Sequence, residues 1–259
     1  ICDASGKKSA FNLPRFVAAH KPDPVLKSFQ VRNVNLKALK PIGAKPGKGW
    51  ATNRFRGRFK LLQYAGAGRP VEMKFRVYPV GGSPLNVQVS VKDANGTPVG
   101  NFVISEPQYS YSLRANTSGV YVFEFNTGAH TVAVDYAAPG QAIWADSRTG
   151  MFRCSGQKFY FMVPAGVKDI SIEVVPEINE PVSSALIAPG GKVVASFERG
   201  GEIQHLTHTR ADASKDEIWS LAFPWSREDF RFRMGTPLAP LFSVSPESIL
   251  TEQPATNAL

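Results

Sequence analysis

The chain states one pattern twice. Residues 75–96 read FRVYPVGGSPLNVQVSVKDANG, and residues 160–191 read YFMVPAGVKDISIEVVPEINEPVSSALIAPGG. Pro79, Gly81, Leu85, Val87 and Val89 recur as Pro164, Gly166, Ile170, Ile172 and Val174, all 85 residues on. Gly96, Val99 and Phe102 recur as Gly191, Val194 and Phe197, 95 residues on, after a longer connection. Each copy reads as a strand closed by a Pro-x-Gly turn, a second alternating strand, a Gly turn and a third strand. Such a chain folds as two related β modules.

Short runs of period-two alternation continue outside the repeat. SLR after YSY, then GVYVFEF and the run from His130, give the first copy seven or eight short strands. EIWSLAF at residues 217–223 and FRFRM at 230–234 close the second. Strands at roughly ten-residue spacing with Gly, Pro and Asn-Gly turns between them describe a sandwich or jelly roll, and no long helical period appears. The expected fold is therefore all-β, with two tandem antiparallel β-sandwich domains of jelly-roll type. Their expected bounds are a tail or tether at 1–24, a first sandwich at 25–140, a second at 141–250 and a tail at 251–259. The Pro-rich segment from Thr236, which loses its period, is expected on the surface.

Composition enters where it excludes partners. No apolar run approaches the roughly 20 residues of a membrane span, and the start ICDASGKK lacks the apolar core of a signal peptide. Beginning at Ile1, the chain reads as a processed or excised piece. Cys2 and Cys154 leave a disulfide open as one possibility, and neither has a second ligand at metal spacing.

The formal charge is +9, and it is unevenly placed. Residues 1–76 hold 17 Lys and Arg against Asp3, Asp23 and Glu72. Within that segment, RFRGRFK sets Arg54, Arg56, Arg58 and Lys60 on one strand face and Phe55 and Phe59 on the other. Four cations in a row about 6.5 to 7 Å apart form a track for a polyanion, or else a solvated face with neighbouring acids. Trp50 and Trp144 sit in loop-like surroundings where a flat ring could stack on a sugar, whereas Trp219 falls inside a strand and belongs to the core.

Catalytic signals are thin. HLTH puts His205 and His208 on opposite faces of a strand, and no GxSxG, HExxH, phosphate loop or GxGxxG helix is present. Asp212, Asp216 and Glu217, and Glu228 with Asp229, read as turn acids. No cofactor is expected, with a structural calcium at the DANG turn of residues 93–96 the one candidate.

With FxVPxG-like entries at 75–81 and 161–166, the alternating strand, the Gly turn and the late SGVYVFEF strand, each copy resembles the bacterial pre-peptidase C-terminal domains and related jelly-roll accessory modules of secreted hydrolases. The second copy departs by carrying DEIWSLAF in place of SGVYVFEF. The resemblance implies a non-catalytic appendage, extracellular or at the cell surface, and some members of that group bind glycans. The expected role is thus a carbohydrate-binding or accessory region of a carbohydrate-active protein. Its expected partner is an acidic polysaccharide, uronic or sulfated, or a covalently linked catalytic domain. The alternatives are a purely structural module packed on such a domain, a jelly-roll coat protein, and a hydrolase or lyase. Dispersal of the basic residues among Phe, Val and Leu argues against nucleic acid.

Overall fold

A computed structural model describes residues 32–43, 45, 53–135, 138–146, 150–152 and 154–253. Cys2 and Trp50 lie outside the described residues, and Val31–Leu259 form one compact unit. The fold is all-β. No described helix is long and apolar enough to cross a membrane.

Alternation dictates the strands. In β2 (Arg54–Ala65) and β3 (Pro70–Tyr78), the residues Phe55, Phe59, Leu61, Val71, Met73, Phe75 and Val77 are all buried. β4 (Val87–Lys92), β5 (Pro98–Ile104), β6 (Gln108–Arg114) and the long β7 (Gly119–Val134) complete the first half. The second comprises β9 (Gly150–Phe152), β10 (Gln157–Val163), β11 (Asp169–Pro176), β12 (Val182–Ile187), β13 (Val193–Gly200), β14 (Gln204–Thr209), β15 (Glu217–Ser226) and β16 (Asp229–Met234).

β2 and β7 each cross from one sheet to the other, with the register slipping between Arg56 and Arg58. Counting their two segments separately gives each half eight strands in chain order. One sheet runs 1-8-3-6, which is β9-β16-β11-β14 in the second half, and the other runs 2-7-4-5, which is β10-β15-β12-β13. In the first half these become β2-β7-β3-β6 and β2-β7-β4-β5. Both halves are double-sheet jelly rolls.

Strand pairing also fixes which residues are equivalent. Leu61 opposite Phe123 and Ala65 opposite Gly119 correspond to Phe159 opposite Leu221 and Val163 opposite Glu217, both partners moving on by 98 residues. The turn after β2 follows suit. Gly68 (φ 73°) donates its N–H to Ala115, as Gly166 (φ 83°), 98 residues on, does to Ala213. The Pro-x-Gly turn at Pro164 therefore answers the turn at Gly66, not that at Pro79, so the 85-residue register expected from the sequence aligns the wrong strands. The 95-residue register stands. Hairpin β4–β5 matches β12–β13, and Val91 opposite Phe123 becomes Leu186 opposite Leu221.

The halves meet edge to edge about a pseudo-twofold axis. Phe55 and Met151, equivalent by their pairing with Val132 and Phe230, are also direct partners of each other. The seam is tight, for a Cβ on Gly150 would lie 2.5 Å from the Arg56 carbonyl oxygen. A second join runs through β8 (Gln141–Trp144), which pairs with β2 and with β17 (Leu241–Phe242), while Ser243 bridges to Tyr160. One apolar cluster consequently extends through both halves, from the Phe55–Phe59–Phe125 stack to Phe159, Phe223, Phe232 and Phe242. Phe242 and Ser243 are buried, so this part of the segment after Thr236 is core rather than surface.

Asn35 caps a 3-10 turn at Leu36–Ala38, leading into β1 (Leu39–Pro41), which pairs with β18 (Leu250–Glu252). That ribbon covers Leu62, Val120 and Ala142 on the outside of the β2-β7-β4-β5 sheet.

Candidate functional site

The corner at Gly57 divides the basic row. With φ at 75°, Gly57 takes a conformation that a side chain would strain, and its N–H is held by Thr127 Oγ1 at 2.8 Å. Arg54 and Arg56 lie on the seam side of the corner, Arg58 and Lys60 beyond it. Arg54 stacks over the Tyr78 ring at 3.6 Å. Arg56 pairs with Asp229 of the other half at 2.5 Å. Lys60 meets Glu124 at 3.3 Å, and Glu124 also takes Lys92 at 2.7 Å. Arg58 is exposed, and no ion pair among the described residues holds it. The four cations are thus brought onto one strand, but three of them have partners drawn from elsewhere in the chain.

Beyond the corner lies a groove of about 620 Å³ across the outer face of β5, β4, β7 and β2. Inward-facing Phe59, Val89, Phe125 and Phe102 fix its floor through their backbones, and alternation aims Gln88, Ser90, Asn101, Glu124, Asn126, Arg58 and Lys60 outward. Directly opposed pairs form a row across the sheet: Lys60–Glu124–Ser90–Asn101. Trp144, opposite Lys60 on β8, does not line this groove. It lines a smaller hollow of about 120 Å³ with Lys60, Lys92 and Glu124, and packs beside the β1–β18 cluster.

The charged residues lining the groove are Arg58 and Lys60 with Glu124 and Asp146. Burial works against ionisation of Glu124, but hydrogen bonds and charge from Lys92 and Lys60 outweigh it and lower its pKa. Across the seam the balance tips the other way. Burial, with the charges of Glu180 and Glu228, raises the Asp229 carboxyl in spite of Arg56.

Other histidines, acids and the described cysteine make contacts within the chain. His130 accepts from Val80 N at Nδ1 and donates from Nε2 to Pro84 O, pinning the 79–86 loop. His205 and His208 face opposite sides of β14; His208 lies 5.4 Å from Trp219, which is buried. At the DANG turn, Asp93 Oδ1 accepts from Asn95 and Thr97 N–H groups, so its carboxylate is engaged in closing the turn. Glu217 pairs with buried Arg210, which also ties down the carbonyls of Pro164, Val167 and Lys215. Cys154 is a free, buried thiol whose pKa burial pushes well up.

Gln88, Ser90, Asn101, Glu124 and Asn126 escaped sequence reasoning because they are spread over three strands. Equivalent positions in the second half expose them. There the row Lys60–Glu124–Ser90–Asn101 becomes Lys158–Ala222–Ala185–Ser196, with the same partners opposed. The scaffold tolerates alanine at two of the four places.

No family model matches the chain, and no curated protein matches it. A solved structure that does is that of the M60 catalytic domain with the CBM51-1 and CBM51-2 domains from Clostridium perfringens ZmpB. It is 8% identical with a TM-score of 0.24, over 77% of this chain and 38% of that one.

Proposed function

We propose that the chain is a non-catalytic, carbohydrate-binding accessory region of an extracellular carbohydrate-active protein, with the glycan lying in the first-half groove. One observation carries this reading. Two copies share a jelly roll, and only one carries an ion pair and a serine in the middle of the row across its outer sheet face, Glu124 and Ser90, where the other has Ala222 and Ala185 between Lys158 and Ser196. A scaffold requirement would apply to both copies. Convergent donors and acceptors on a rigid sheet suit a chain of sugar hydroxyls, and Trp144 in the adjoining hollow, which shares Lys60 and Glu124 with the groove, offers an apolar face. Acidic units, uronic or sulfated, are the class we favour, given the positive charge of the chain.

Affinity electrophoresis through neutral, uronic and sulfated polysaccharides tests the proposal. Retardation by at least one of them that is lost on joint Ser90→Ala and Asn126→Ala substitution supports it; unchanged mobility in every gel sinks it.

A second reading, a packing surface for a linked catalytic domain, is favoured by Val193, Phe197 and Ile203. They are 39 to 52% exposed on and just after β13 in the second half. The two readings use different halves, and both hold if that domain associates with a chain that also binds glycan.

A further inference from the structure

The groove does not end at the corner of β2. A second groove, of about 490 Å³, lies along the seam and is lined by Arg56, Arg231, Glu177, Glu180 and Asp229. Arg58 lines both. In the seam groove, Arg56 pairs with Asp229 and Arg231 with Glu177 at 2.8 Å; in the first, Lys60 shares Glu124 with Lys92 of the adjoining hollow. Arg58 alone among these cations is exposed and holds no carboxylate. The fold does not need it there. The residue 98 positions on is Gly156, at the matching corner, with φ 77° and no side chain.

We infer that Arg58 determines specificity for anionic groups on the glycan, the carboxylate of a uronic unit or a sulfate ester. This rests on the glycan reading of the groove and adds the residue that selects the acidic unit. A guanidinium free of protein partners presents its N–H fork to a planar carboxylate or to sulfate oxygens without first breaking an ion pair. Lys60 and Lys92 cannot do so at equal cost, since each would leave Glu124. The Gly57 corner sets the position, because the register slips there as the chain passes from the seam sheet into the groove sheet.

The test compares wild type, Arg58→Gln and Lys74→Gln at one ionic strength, by affinity electrophoresis in a neutral glucan, a polyuronate and a sulfated polysaccharide. Lys74 is exposed on β3 outside both grooves, so its variant controls for net charge alone. The readout is the ratio of acidic to neutral binding. Wild type should favour one acidic polymer or both, and the favoured arm identifies carboxylate or sulfate. Arg58→Gln should lower the ratio about 10-fold to 100-fold, the weight of a charge-assisted hydrogen-bond pair, while Lys74→Gln leaves it in place. A ratio unchanged by Arg58→Gln, equally lowered by Lys74→Gln, or absent in the wild type overturns the Arg58 assignment and leaves the groove standing. Retardation of wild type by no polymer overturns both.

Discussion

Glu124 holds two lysines from neighbouring strands, Lys60 and Lys92, on a sheet face that is open to solvent. Its folded-state pKa lies below the ordinary glutamate value, so its contribution to stability is complete above that value and fades as pH falls through the folded one. Because all three side chains are 30 to 42% exposed, the contribution is modest, about 0.5 to 1 kcal/mol. Glu124→Gln is expected to lower the melting temperature at neutral pH and to converge with wild type in acid. Melting curves at a series of pH values check this, and a gap that widens on acidification would contradict it. Asp229 has the reverse sign. With its carboxyl raised, it opposes folding more as pH rises through its folded-state pKa. Asp229→Asn is therefore expected to show its smallest loss of stability at neutral pH, where it also removes the cost of a buried charge, and a larger one in acid. The Arg54 to Lys60 parity was legible because alternation is a local property. The identity of the partners was not, since Tyr78, Glu124 and Asp229 come from distant strands.

At the level of elements, two glycines hold the geometry of β2 and β9. Gly150 has no room for a side chain against Arg56, so Gly150→Ala must push the seam strands apart and is expected to cost about 1 to 3 kcal/mol in urea unfolding. Gly57→Ala meets no neighbour but must hold a left-handed φ of 75°, for a smaller loss of about 1 to 2 kcal/mol. A Gly150 variant as stable as wild type would mean that the seam is looser than described. Strand content and the β4–β5 to β12–β13 match were readable because Gly96 and Gly191 mark the same hairpin turn. The 85-residue match misled because any strand followed by Pro-x-Gly satisfies it. Hydrogen-bond register, which lies in pairs of distant residues, distinguishes the turn at Gly66 from that at Pro79. The groove was hidden for the same reason: once Ala185 and Ala222 are aligned to Ser90 and Glu124, the polar row stands out.

Over the whole molecule, the seam makes two jelly rolls into one core. The seam sheet continues across it through β9 and β2, the two outer sheets are linked only through β8, β17 and the Tyr160–Ser243 bridge, and the apolar cluster does not stop at the connection between halves. Calorimetry of the intact chain is expected to show a single cooperative transition, whereas two resolved transitions would mean that the seam contributes little. Duplication also frees one copy to carry a function that the scaffold does not demand, which is where the glycan groove enters. The most direct test is nuclear magnetic resonance titration of the labelled chain with an oligosaccharide from whichever polysaccharide retards it most. Amide shifts are expected to concentrate on Arg58, Lys60, Gln88, Ser90, Asn101 and Asn126, with Ala185, Ser196 and Ala222 unmoved. Shifts centred on the second-half face, or none in the groove at saturating ligand, would contradict the account.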